Sequence, residues 1–309
     1  MQILVTGANG FVGQHVTHLL SEQGHTPLHC DLQPVKGAPR NRLFVGDLCD
    51  QAFLEDLVSR AKPDACIHLG GIAYVPMGWK NPQLVYNVNL GGTVNLLEAF
   101  RKHAPEARIV VVSSGEIYGR TARQNPLRET DIMYPANPYA VSKQAADQHA
   151  LLTAQRYNMN IMTARPDNHT GPGQSELFVT ATFARQVADI ASGRRKARML
   201  VGNLDNMRNF TDVRDIARAY LALLERGRAG TAYNIASGIP VRIRSVLDTL
   251  CRIANINPQI DIDPSRYRPT DCLPTLDTTR IHQHTGWKPQ IPIQTTLQDI
   301  YQHALENAR

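Results

Sequence analysis

The chain has 309 residues, 42% hydrophobic and 19% charged, with a formal net charge of +6. That length suits one large α/β unit or two domains, and the composition excludes a disordered chain. Apolar runs fall short of the ~18 residues of a membrane span, and the N-terminus enters a strand pattern with no basic leader, so no secretory signal is expected. Cys30, Cys49, Cys66, Cys251 and Cys272 form no C-x-x-C pair, which points to free thiols in a reducing cytoplasm rather than to zinc or disulfides.

Short apolar runs then alternate with helical patterns. Ile3–Val5 reads as a strand, Phe11–Glu22 as a helix, Thr26–Cys30 as a strand and Gln51–Arg60 as a helix. Ala65–Leu69 is a strand, Gln83–His103 a long helix, Arg108–Ser113 a strand, Pro138–Tyr157 a helix and Asn160–Arg165 a strand. Such alternation predicts right-handed βαβ units on a parallel sheet. After Arg165 the rhythm breaks at a polar loop, Pro166–Gln174. Helices follow at Val179–Ser192, Val213–Arg226, Arg244–Ala254 and Thr295–Glu306, with short strands at Arg198–Val201 and Tyr233–Ile235. Frequent prolines from Pro258 to Pro292 suit a loop-rich smaller domain.

Residues 7–13 read Gly7-Ala8-Asn9-Gly10-Phe11-Val12-Gly13, between a strand and a helix. Gly7 permits a tight turn, Gly10 a close backbone approach to a pyrophosphate, and Gly13 close packing of helix on strand. The helix N-terminus offers N–H groups to phosphate. Asp31, 18 residues past Gly13, ends the second strand, where a carboxylate accepts from ribose hydroxyls and repels a 2′-phosphate. NAD(H) is therefore favoured, with NADP(H) the alternative that Arg40 and Arg42 keep open; a simple turn Asp is the other reading. Asp47 and Leu48 are placed for the adenine edge, or Asp47 for capping the next helix.

Tyr139 and Lys143 stand four apart on one helix face. A neighbouring ammonium is expected to lower the phenol pKa towards neutrality and make Tyr139 a general acid/base. Ser114, just past the fifth strand, is placed to hold a substrate carbonyl, or else to cap a helix.

Together, the glycine turn, Asp31, Asp47-Leu48, His68-Leu69-Gly70-Gly71, Asn89, Ser114, Tyr139-x-x-x-Lys143 and Arg165-Pro166-x-Asn168 resemble the extended short-chain dehydrogenase/reductases of the NAD-dependent epimerase/dehydratase family. The resemblance spans nearly the whole chain. It implies a Rossmann-type doubly wound parallel sheet, residues 1–165 plus about 211–236, and a smaller α/β substrate domain, about 166–210 plus 237–309. It also implies that Leu69, Gly70 and Gly71 line the cofactor and that Lys143 holds the nicotinamide ribose. Glycines at 70 and 71, where the family usually has Ala, are expected to widen the space there.

The C-terminal half is similar to the GDP-sugar branch, whose members include C4-ketone reductases and 4,6-dehydratases. That likeness makes Asn168, Val179, Arg185, Arg208, Arg268 and Asp271 candidates for holding a nucleotide-diphosphate sugar. Arginine suits bidentate phosphate contact, although each Arg also admits a plain salt bridge. Asp167 stands where the family often has Phe, and Asn209 where it usually has Asp. Glu116 is placed to meet the sugar. Gly115 carries no acid to expel a C6 hydroxyl, which favours a reductase. The alternatives are a dehydratase or epimerase with internal redox recycling, or a nucleotide-sensing protein without catalysis. The basic residues are scattered, with one cluster at Arg194-Arg195-Lys196, so no nucleic acid is expected. A homodimer through the two long helices is implied by resemblance, and no metal is expected.

Overall fold

The computed structural model describes residues 1–119, 126–267 and 275–307. Strands β1 (Gln2–Thr6), β2 (Thr26–Asp31), β3 (Leu43–Val45), β4 (Ala65–His68), β5 (Arg108–Val112) and β6 (Ile161–Pro166) are interleaved with helices. These are α1 (Phe11–Glu22), α2 (Gln51–Ala61), α3 (Val75–Lys80), α4 (Pro82–Tyr86), α5 (Gly92–His103) and α6 (Pro138–Tyr157). Then come β7 (His169–Thr170), α7 (Val179–Ala191), β8 (Arg198–Val201), β9 (Met207–Asn209), β10 (Thr211–Asp212), α8 (Val213–Arg226) and β11 (Ala232–Ile235). The described chain closes with β12 (Pro240–Arg242), α9 (Ile243–Ile253), β13 (Gln259–Ile262), α10 (Thr279–Thr285) and α11 (Ile293–Glu306).

Seven strands form one parallel sheet in the order β11-β6-β5-β4-β1-β2-β3. The chain leaves β1 towards β2 and β3, then crosses to β4 on the other side. A crevice opens at that switch point, beyond the strand C-termini. Side chains alternate across the sheet. Ile3 and Val5 join the core beneath α1 and α8, and Leu4 joins the core beneath α2 and α5. Both faces are covered, so these strands are continuous apolar runs. A third core packs α7, α9 and α11 around Phe183, Leu247 and Ile300.

The C-terminal segment divides between the α1/α8-side core and the third core. Ile281 and Trp287 enter the α1/α8-side core, and the Trp287 indole N–H donates to the Asp215 carbonyl at 3.0 Å. Residues 279–287 therefore pack against the sheet, inside the range that sequence reading gives to the substrate domain.

Helix α6 is punctuated as its sequence requires. The Asn137 side chain accepts from Ala140 N–H at 2.8 Å, Pro138 takes the first turn, and Asn158 closes the helix in the left-handed region. The expected long helix from Gln83 to His103 is interrupted. Residues Asn87–Gly91 form a π turn between α4 and α5. Two tertiary demands explain it. The Asn89 amide bonds Ile72 at both ends (2.7 and 3.1 Å) and donates to Ser142 Oγ at 2.9 Å. Gly92 lies so close to Leu48 that a Cβ would fall 2.9 Å from the Leu48 Cβ.

Candidate active site

The glycine turn closes the lower end of the crevice. Gly7 has φ +70°, and a Cβ there would meet the Gly70 backbone at 2.9 Å. A Cβ on Gly13 would stand 2.2 Å from the Gly7 carbonyl oxygen, so only glycine lets α1 start this close to β1. Gly10 caps α1 without a side chain, so no side-chain acceptor competes for the first-turn N–H groups. Gly10, Phe11 and Val12 line the crevice. Asp31 stands at the end of β2 and accepts from the Asn9 N–H at 2.9 Å. Asp47 accepts from Cys49 N–H, whereas the cap of α2 is Asp50, so the capping alternative for Asp47 is corrected. Leu48 is buried beneath Gly70.

The expected widening at Gly70 and Gly71 is also corrected. Leu48 and Asn89 occupy the space their side chains would take, at 2.5 and 2.9 Å from the respective Cβ positions. Beneath Gly70, His68 is buried between Thr6 Oγ1 (2.7 Å) and Thr93 Oγ1 (2.9 Å). Thr93 donates its only hydroxyl proton to the Asn89 carbonyl, so His68 donates from Nε2 and accepts at Nδ1. Burial, with Lys143 nearby, lowers its pKa to about 3 and keeps it neutral. His68 and Asn89 are structural supports that motif reading quotes without a role.

Tyr139, Lys143 and Ser114 converge as expected on a cavity of about 370 Å³. Ser114 Oγ caps the short 3₁₀ turn Gly115–Tyr118 by accepting from Glu116 N–H at 3.2 Å, so the capping reading holds, and Ser114 lines the crevice with Tyr139 as well. The Lys143 ammonium donates to the Val112 carbonyl at 2.8 Å, and burial lowers its pKa to about 8. The expected lowering of the Tyr139 pKa is overturned. Burial pushes it up to about 12, the Ser114 hydroxyl pulls the other way, and Glu116 adds to the rise. Desolvation of a phenolate outweighs the pull of one hydroxyl here.

On the substrate side, Glu116, Asp167, Asn168, Val179 and Arg208 line the same cavity. Arg185 is drawn elsewhere, to Asp189 one turn on at 3.2 Å. Arg268 and Asp271 lie outside the described residues, as does Cys272. The remaining four cysteines are free, and no metal-binding cluster occurs among the described residues. No described helix is long and apolar enough to cross a membrane. A second, more open cavity of about 750 Å³ lies around Glu129, Arg228 and Arg280, apart from the glycine turn.

Sequence reading missed Tyr220. Its phenol is fully buried on α8, lines the crevice and has no hydrogen-bond partner among the described residues. A hydroxyl on the apolar stripe of α8 was the only signal. That orphaned group, the glycine cradle and the donors along the crevice fit a dinucleotide laid from Asp31 towards Tyr139.

A parallel sheet switching direction at a glycine turn, with Ser114, Tyr139 and Lys143 over the crevice, is the architecture of an NAD(P)-dependent short-chain dehydrogenase/reductase. Residues 4–300 match the model of the GDP-mannose 4,6 dehydratase family, and the chain belongs to that family. It is 40% identical over 301 residues to GDP-6-deoxy-D-mannose reductase of Pseudomonas aeruginosa, covering 97% of this chain and 95% of that one. The solved structure of RMD from Pseudomonas aeruginosa complexed with NADPH superposes with a TM-score of 0.88 at 36% identity, over 99% of both chains. The UDP-glucose 4-epimerase of Thermus thermophilus, solved with NAD, superposes with a TM-score of 0.87 at 28% identity, over 98% of this chain and 99% of that one.

Proposed function

We propose that this protein reduces the C4 ketone of a GDP-linked 4-keto-6-deoxy-hexose with a reduced nicotinamide dinucleotide. One observation carries the reading. The Tyr139 phenol, held protonated by burial, lines the crevice together with Ser114, Lys143 and the glycine turn. A general acid for ketone reduction needs its proton in place before reaction, and a pKa of about 12 provides that at neutral pH.

In this reading Gly7, Gly10, Gly13 and the start of α1 hold the dinucleotide phosphates, Asp31 the adenosine ribose, and Lys143 the nicotinamide ribose. Bound NAD(P)H supplies the hydride. Ser114 orients the ketone oxygen, and Tyr139 Oη gives that oxygen its proton, completing the alcohol. The Lys143 ammonium stabilises negative charge as it develops. Arg208, Asn168 and Val179 border the nucleotide-sugar side; Arg268 and Asp271 remain candidates from the sequence likeness alone. Arg185 is the weakest candidate because Asp189 holds it. Residues 166–210 and much of 237–309 form the sugar side.

NAD(H) is the favoured cofactor on the strength of Asp31, with NADP(H) the alternative. The reading includes a cytoplasmic homodimer. Leu84, Val141, Leu152 and Tyr157 support it, being exposed on the adjoining helices α4 and α6. A monomer mass at micromolar concentration excludes the dimer. The test of function is loss of reduced-cofactor absorbance with GDP-4-keto-6-deoxymannose. No consumption over a wide range of enzyme rejects the reading.

A dehydratase or epimerase with internal redox recycling is the second reading, favoured by the two carboxyls, Glu116 and Asp167, in one crevice. Against the dehydratase, a Cβ on Gly115 would meet Leu276 at 3.1 Å and the Pro166 carbonyl at 3.3 Å, which leaves little room for an acid there. Cofactor retained through purification, with no net NAD(P)H use, favours the second reading.

A further inference from the structure

The residue between Pro166 and Asn168 is an acid in a place where related chains often carry Phe. Asp167 follows β6 directly, and its N–H donates to the Ile235 carbonyl at 2.9 Å, which anchors the backbone to the neighbouring strand. The carboxyl is held from one side. Oδ1 accepts from the Asn168 N–H at 2.7 Å and from Asn168 Nδ2 at 3.0 Å. Both of these bonds fall on Oδ1, which leaves Oδ2 for the crevice that Asp167 lines. The Asp167 Cα lies 3.6 Å from where a Gly115 Cβ would stand, beside the turn that carries Ser114 and Glu116.

The charged groups facing this carboxyl are Glu116, on the turn after β5, and Arg208, on β9. Burial raises the Asp167 pKa to about 7. Glu116 adds to the rise, and Asn168 and Arg208 oppose it. At neutral pH the group can therefore both donate and accept. A polar group in a desolvated crevice costs free energy until a ligand satisfies it. A phosphate at Asp167 itself would meet two carboxyls against one guanidinium, Arg208, whereas an uncharged ring bearing hydroxyls is matched. We propose that Asp167 is a hexose-reading residue of this site, hydrogen-bonding a ring hydroxyl of the nucleotide-linked sugar through Oδ2. The assignment rests on the nucleotide-sugar reading above and adds a specificity residue to it.

The experiment measures calorimetric affinity for GDP and for GDP-mannose, on wild type and on the Asp167→Leu and Asp167→Asn variants. The ratio of the two dissociation constants isolates the hexose contribution. That ratio is expected to fall about tenfold in Asp167→Leu. Asp167→Asn keeps the shape and a hydrogen-bonding group, and is expected to recover part of it. Affinities for GDP and for NADPH are expected to stay within about twofold of wild type, which also verifies folding. In turnover with GDP-4-keto-6-deoxymannose, KM rises while kcat changes little. An unchanged ratio in Asp167→Leu overturns the proposal. So does a loss that falls equally on GDP, a loss that falls on NADPH, or a wild type that binds GDP-mannose no tighter than GDP. If wild type consumes no NAD(P)H and the ratio still collapses in Asp167→Leu, the reductase reading fails and Asp167 stands. If wild type turns over and the ratio is unmoved, the reverse holds.

Discussion

The Lys143 ammonium donates to the Val112 carbonyl at 2.8 Å, which ties helix α6 to the end of β5 inside the crevice. Burial disfavours its charged form and lowers its pKa from 10.5 to about 8. A lysine with a lowered pKa loses its proton as pH rises through that value. The ketone-reduction rate is therefore expected to fall above about pH 8, where an exposed lysine would still be charged. Lys143→Met removes the charge at every pH, and kcat is expected to drop about 100-fold with that alkaline limb gone. A kcat–pH profile of both proteins checks this.

Tyr139→Phe keeps the ring that fills the crevice and removes only the transferable proton. General acid catalysis of this kind is worth about 10²–10⁴-fold, so kcat is expected to fall by that factor. Cofactor affinity is expected to hold, because the glycine turn is untouched. Single-turnover rates, with fluorescence titration of NADPH, separate the two. Equal turnover by the variant contradicts the proton-donor assignment.

Gly13→Ala places a Cβ 2.2 Å from the Gly7 carbonyl oxygen and 2.8 Å from the Ala8 Cα, both backbone atoms that cannot swing aside. Helix α1 must then move off β1. The expected cost is about 1–3 kcal/mol of stability, with a loss of about tenfold or more in cofactor affinity. Urea denaturation and NADPH titration measure each, and an unshifted midpoint with intact binding refutes the close-packing account.

Arg165 and Asp147 form a two-bond ion pair sealed in the core, at 2.7 and 3.1 Å, with side chains 2% and 0% exposed. Arg165 also donates to the Tyr118 hydroxyl at 2.9 Å and to the Glu129 carbonyl at 3.0 Å. Asp147→Ala strands a buried guanidinium and is expected to cost about 3–5 kcal/mol. Neither side chain lines the crevice, and Arg165 borders the second cavity instead, so activity per folded molecule at low temperature is expected to survive. Equilibrium unfolding with parallel assays tests both statements.

Much of this architecture was legible locally. Helices α1, α6 and α8 begin where their caps or turns stand in the chain, at Gly10, Asn137 and Asp212. Ser114, Tyr139 and Lys143 were legible too, because strand ends and a four-residue helical spacing fix their placement. What escaped depends on distant contacts. The π turn at Asn87–Gly91 follows from Asn89 bonds that reach 17 and 53 residues along the chain. Strands β7, β9, β10 and β12 are two or three residues long, too short for periodicity to show. The sign of the Tyr139 shift turned on burial, which spacing does not report. For Arg185 the competitor Asp189 was in view four residues on, a spacing at which helix neighbours pair.

In the proposed reading, the preference for NAD(H) rests on the Asp31 carboxylate. Oδ2 accepts from the Asn9 N–H at 2.9 Å, which orients the carboxylate at the rim of the glycine turn. An adenosine ribose laid there offers hydroxyl donors to a fixed acceptor, whereas a 2′-phosphate meets a like charge. That repulsion, discounted for solvent at a partly exposed site, is on the order of 1–3 kcal/mol, or about 10–100-fold. The kcat/KM ratio of NADH to NADPH is expected to favour NADH in wild type and to fall by about that factor in Asp31→Asn. Arg40 is exposed at the surface beyond β2 and works in the opposite direction. A wild-type preference for NADPH would mean that arginines of this loop outweigh the carboxylate. Arg40→Ala would then reverse the preference, whereas Asp31→Asn would leave it nearly unchanged.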